Sequence, residues 1–459
     1  MSGADLVIRG QRVITPEGVR TASVHVDSAA GRIVAVAAYD AIAPGARVVD
    51  AGDAVVMPGV VDTHVHVNQP GRTEWEGFRT ATAAAAAGGV TALVDMPLNS
   101  IPATTTLAAL QAKQAETAGQ LWIDVGFWGG VVPGNAAELA PMAARGALGF
   151  KCFLVESGVD EFGFVREPEL RPAMAELARI GRPLLVHAEL PGPIDAAAAE
   201  QARTQPDPRR YATYLASRPR AAEDEAVALV VRLCRDTGAR THVVHHASSD
   251  SLPLIAAARA AGLPFSAETC PHYLSFAAED IPDGATAFKC APPIRERDNR
   301  ELLWQALRTG VLGLVASDHS PCAPALKRLE QGDFQAAWGG ISGLQLALAV
   351  VWTEAHARGF AIEDVVRWMC AGPAELAGVA GRKGRLAAGA DADIVIFRDD
   401  ASATVDPARV LHRHKVTPYA GRTLLGVVES TYVRGRRVWH AGALTDESPS
   451  GRTFGREPA

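Results

Sequence analysis

Closely spaced cysteine pairs are missing from the sequence: Cys152, Cys234, Cys270, Cys290, Cys322 and Cys370 lie far apart, and none belongs to a C-x-x-C pair. This spacing supports neither a disulfide framework nor a zinc knuckle, and it suits a reducing cytoplasm. Long apolar runs are missing as well. No stretch approaches the roughly 18 residues of a membrane span. The opening MSGADLVIRGQRVIT alternates apolar and polar residues, unlike the ~7–15-residue apolar centre of a signal peptide. There is no surplus of positive charge either. Lys plus Arg number 45 against 51 Asp plus Glu, a net charge of −6, so a nucleic-acid footprint is not expected. What remains is 459 residues, 48% hydrophobic and 21% charged, which is the composition of a folded core. One large and one small domain fit that length better than three equal ones.

Residues 1–57 contain short alternating runs (DLVIRG, ASVHVD, RIVAVA, AVVMPG) separated by turn residues, the pattern of a small antiparallel unit. The same texture returns over 385–445 in ADADIVIFR and GVVESTYVRGRRVWHAG. Each end alone has too few strands to bury a face, so the two are expected to pair into one β-sandwich domain. Between them, residues 58–384 alternate eight strand-like runs with helix-length stretches: VVMPGVVDTHVHV, VTALVDMPL, WIDVGFWGGVV, ALGFKCFLV, RPLLVHAEL, THVVHHAS, PFSAETCPHYL and GVLGLVASDHS. Apolar strands without strict alternation are buried on both faces, which predicts an α/β fold, a (β/α)₈ TIM barrel with its site at the strand C-termini. Residues 446–459 read as a polar tail that frays.

The chemistry-bearing residues sit at those strand ends. His64 and His66 form an H-x-H, and alternate strand residues share a face, so both imidazoles aim at the barrel mouth. They suit one divalent cation, or else are two histidines bonded to backbone. Lys151 stands in GFKCFLV, an otherwise uncharged run. Burial there favours a neutral amine able to take up carbon dioxide as a bridging carbamate; a lysine that snorkels to the strand end is the alternative. His187, His246 and Asp318 each end an apolar run. Six candidates at the ends of strands one, four, five, six and eight read together as a binuclear metal site. His245 is expected to point away from His246 on a strand, and His272 and His319 to pack or hydrogen-bond.

These motifs carry a resemblance to the amidohydrolase superfamily and, within it, to the cyclic amidases. PGVVDTHVH, GFKCFL, VHAE, HHAS, CAPPIR and SDHSPC occur in that family's order, and ADADIVIF resembles its returning sandwich strand. The resemblance implies that His64, His66 and Asp318 bind one metal and His187 and His246 the other, with carboxylated Lys151 bridging them. Zinc is the expected ion, with cobalt, manganese or iron as alternatives. HVNQPGRTEWEGF, VDMPLNS, KCAPPIR and AWGGISGLQ resemble the allantoinase branch. That branch implies hydrolytic opening of the hydantoin ring of allantoin to allantoate, in purine (ureide) catabolism. Asn68 stands where dihydroorotases carry a carboxylate-gripping Arg. Cys152, Phe153 and Leu154 follow Lys151, where hydantoinases and dihydropyrimidinases carry a segment with a Tyr. Ring contacts are expected from backbone near Cys290, from the Gly339–Gly340 loop, and from Asn99 and Asn68. Asp318 is the expected proton carrier. The resemblance further implies a small-molecule substrate, a homotetramer and no nucleic-acid or membrane partner. Another cyclic amidase such as hydantoinase, or a non-catalytic scaffold, are the alternatives.

Overall fold

The computed structural model describes residues 3–445 and 448–455. Eight parallel strands form one sheet: β1 (Val60–Val65), β2 (Val90–Asp95), β3 (Asp124–Gly130), β4 (Ala147–Phe153), β5 (Leu184–His187), β6 (Thr241–Val243), β7 (Phe265–Thr269) and β8 (Leu314–Val315). They follow one another in chain order, each run matching one of the eight read from the sequence. The ends of the sheet meet beyond β8, where His319 bridges Val65 in parallel and its carbonyl accepts the His66 N–H at 2.8 Å. Every residue of β1, β2, β3 and β4 is buried. That is why these strands read as continuous apolar runs.

The two chain ends join in a separate nine-stranded sheet. The seam is antiparallel pairing of Val55–Pro58 with Ile394–Thr404, in the register Val56 to Ile396. Leu6, Ile8, Val24, Val56, Ile394, Ile396 and Tyr432 share one core, so neither end buries its face without the other. The sheet is fastened to the barrel by the buried Lys383 ammonium, which contacts Asp124 at 2.7 Å, Asp391 at 3.0 Å and Asp393 at 2.6 Å. Asp124 opens β3, so this cluster ties the start of that strand to the segment leading into Ile394–Thr404.

Over its described part the tail is paired to the barrel. The Val125 N–H donates to the Arg452 carbonyl at 2.9 Å, and the Phe454 N–H donates to the Val125 carbonyl at 3.0 Å. The Arg452 N–H donates to Asp124 Oδ1 at 2.9 Å. Backbone pairing needs no apolar side chains, so a polar composition did not reveal it. Residues 446–447 and 456–459 of that tail lie outside the described residues. No helix among the described residues is long and apolar enough to cross a membrane.

Candidate active site

At the C-terminal ends of the barrel strands a cavity of about 430 Å³ opens. Its walls include His66, Lys151, His187, His245 and Asp318. His64 lies directly behind, with its ring centroid 5.6 Å from that of His66 and 5.3 Å from that of His245. Asp318 Oδ1 faces His64 Nε2 at 3.3 Å and His66 Nε2 at 3.5 Å, and accepts the Ser320 hydroxyl at 2.6 Å. Asp318 adopts φ 44°, a left-handed conformation costly for a non-glycine residue.

Two of the imidazoles, His64 and His187, are aimed by carboxylates. Glu268 accepts from His64 Nδ1 at 2.5 Å and from His242 Nε2 at 3.0 Å. Burial alone would raise the Glu268 pKa, but the two histidines outweigh it and hold the carboxyl at about 2. This bond turns His64 Nε2 toward Asp318, where it has no hydrogen-bond partner. Glu189 accepts from His187 Nε2 at 2.7 Å and is gripped by Arg218. His187 Nδ1 is thereby left 3.0 Å from His245 Nε2. Burial lowers the pKa of His66 to about 4 and that of His245 well below its ordinary value, so both rings are neutral near pH 7.

His246 is not where the sequence reading put it. Its Nδ1 lies 3.9 Å from Glu223 Oε2 and its Nε2 lies 3.4 Å from the Ser251 hydroxyl, and it does not line the cavity. His245 takes that place. The reason is local: β6 ends at Val243, and His245 has φ 38°, so strand alternation no longer governs where its side chain points. Two substrate-contact expectations change as well. Asn68 is fully buried away from the cavity, at φ 66°, with Nδ2 donating to the Pro321 carbonyl at 3.2 Å. The Cys290 carbonyl accepts the Tyr214 hydroxyl at 2.6 Å, and its neighbour Ala291 reaches the cavity instead. Asn99 and Gly340 do line it, and Asn99 Nδ2 lies 3.5 Å from His66 Nδ1. Gly340 has φ 129°, and a Cβ there would lie 2.2 Å from the Ser320 carbonyl oxygen, so this loop position requires glycine.

Sequence reasoning missed Glu189, Glu268 and the lysines behind the glycine loop. Lys327 donates to the carbonyls of Trp338, at 3.2 Å, and of Gly340; Lys289 donates to those of Gln335, at 3.0 Å, and Ala337, at 2.6 Å. The signal for Glu268 was available, because it is a charge inside an apolar run, as Lys151 is.

His64, His66 and Asp318 present three ligand atoms within 4.8 Å of one another, and neutral histidines beside a carboxylate suit divalent cations. The unpartnered His64 nitrogen and the facing His187 and His245 nitrogens fit that use. Lys151 is fully buried, and among the described residues its ammonium has no carboxylate at salt-bridge distance. Burial lowers its pKa to about 8.

The sequence profile of the amidohydrolase family matches residues 55–438. A protein named allantoinase from Streptomyces avermitilis is 55% identical over 459 residues, covering 100% of each chain. The Saccharomyces cerevisiae allantoinase is 44% identical over 87% of this chain and 86% of its own. Among solved structures, an L-hydantoinase from Arthrobacter aurescens superposes with a TM-score of 0.93 at 32% identity, covering 99% of this chain and 100% of that one.

Proposed function

The chain belongs to the amidohydrolase family, and from that premise we propose that it hydrolyses the hydantoin ring amide of allantoin to give allantoate. The observation that carries the substrate assignment is likeness along the whole chain to proteins named allantoinase. His64, His66 and Asp318 would hold one divalent cation and His187 and His245 a second. Lys151, as a carbamate formed from its neutral amine and carbon dioxide with release of a proton, would be shared between them. When bound, such cations supply Lewis acidity to a carbonyl and acidify water; zinc is the first choice.

The residues of the chain do the rest. Glu268 and Glu189 hold the His64 and His187 rings in one tautomer, so their free nitrogens face the site. Asp318 accepts a proton from the attacking water and gives it to the departing ring nitrogen as the carbon–nitrogen bond breaks and a carbon–oxygen bond forms. Asn99 offers an amide for the ring, and Gly340 leaves room for it. The six free cysteines are all buried, which supports a reducing, cytoplasmic setting, and the family resemblance supports a homotetramer.

The test is a substrate panel of allantoin, 5-substituted hydantoins, dihydrouracil and dihydroorotate, assayed with the metal-loaded enzyme. The expected result is a kcat/KM for allantoin at least about tenfold above any other ring, a difference of ~1.4 kcal/mol in transition-state binding. Preference for a 5-alkyl hydantoin would make the enzyme a hydantoinase instead.

A further inference from the structure

Beyond the four histidines and the lysine, Asp318 has a second set of neighbours. β7 ends at Thr269 and is followed by Cys270 and, in the short helix Pro271–Ser275, by His272. Donor atoms of Cys270, His272 and Asp318 all lie within 4.8 Å of one another, and all three residues are buried. Neither ring nitrogen of His272 has a hydrogen-bond partner, although the residue is 0% exposed. Buried polar atoms are almost always satisfied, so two bare nitrogens on one ring are a standing cost that a ligand would relieve. The Asp318 hydrogen bond and histidine contacts described above all fall on Oδ1.

We propose that Cys270, His272 and Asp318 form an inhibitory site for a soft or borderline divalent cation, such as cadmium or excess zinc, which adjoins the catalytic pair and shares Asp318 with it. The donor set supports it: a thiolate supplies one negative charge, the imidazole adds a neutral donor, and Asp318 is shared with the catalytic cation. The thiol proton leaves to solvent as the sulfur–metal bond forms, with no redox change. Thiolate and imidazole select soft and borderline ions over magnesium or calcium. Access runs through Asp318, which lines the cavity. The consequence follows from sharing: a cation on Asp318 occupies the carboxylate that moves the proton, so turnover stops while the catalytic ions stay bound. Inhibition rests on the proposed role of Asp318, whereas binding does not.

The experiment adds cadmium alone to the metal-replete enzyme and follows three signals: the near-ultraviolet thiolate-to-cadmium absorption, the metal content by mass spectrometry, and turnover. The wild type is expected to gain one cadmium with thiolate absorption, keep its resident metals and lose activity. Cys270→Ser should lose the absorption and resist cadmium by at least about 100-fold, since losing even an indirect partner costs 10–100-fold in affinity. Cys234→Ser, on the outer helix Arg220–Thr237, should behave as the wild type. Should Cys270→Ser fail to fold, His272→Asn, which keeps the thiol, should likewise resist cadmium inhibition by at least about tenfold. Cadmium uptake matched by equal loss of resident metal, or identical absorption and inhibition in Cys270→Ser, would overturn the site. Cadmium bound through Cys270 without loss of turnover would overturn its inhibitory role, and the substrate panel would still decide the reaction independently.

Discussion

Replacing Asp318 by Asn is expected to lower kcat by at least about 10³-fold while leaving the fold intact, since positioned proton transfer is worth 10²–10⁴-fold by itself. Asn keeps the size of the side chain and can still accept the Ser320 hydroxyl. What it loses is the negative charge facing His64 and His66 and the ability to carry a proton. Steady-state kinetics with circular dichroism on the same sample checks the prediction. A near-normal kcat would remove Asp318 from the reaction.

Lys151→Ala is expected to purify nearly free of metal and inactive, with partial recovery of both in short carboxylic acids that replace the carbamate. The same account predicts how the wild-type apoprotein reloads. The amine must be neutral to take up carbon dioxide, and burial sets its pKa at about 8. Reloading with metal and bicarbonate should therefore speed up as pH rises through that value and slow as pH falls below it. Metal analysis after timed reloading at several pH values checks the sign. Full metal content in Lys151→Ala would exclude the lysine as a shared ligand.

The barrel was legible in the sequence because eight buried parallel strands leave eight apolar runs, five of them carrying a candidate polar residue at or near the C-terminal end. Lys151, His187 and Asp318 were found by that rule, and the structure brings them to one cavity. The rule fails where a strand stops. β6 ends two residues before His245, which takes positive φ, so counting by twos pointed it the wrong way; Asn68, three residues past β1 and also at positive φ, was named from the resemblance and turns from the cavity. Glu268 stood out locally as a charge inside an apolar run, but its role did not, because its partner His64 lies 204 positions away. The lysines behind the Gly339–Gly340 loop likewise look like solvated charges until the fold sets backbone carbonyls around them.

The most direct measurement is the metal content of His245→Asn and His246→Asn, purified side by side from cells given the same zinc supply. His245→Asn should lose about one of two cations per chain and nearly all turnover, because His245 faces His187 across 3.0 Å. His246→Asn should keep both cations, since its ring faces Glu223 and Ser251 outside the cavity. Full metal in His245→Asn with loss in His246→Asn would contradict the arrangement on which the whole account stands.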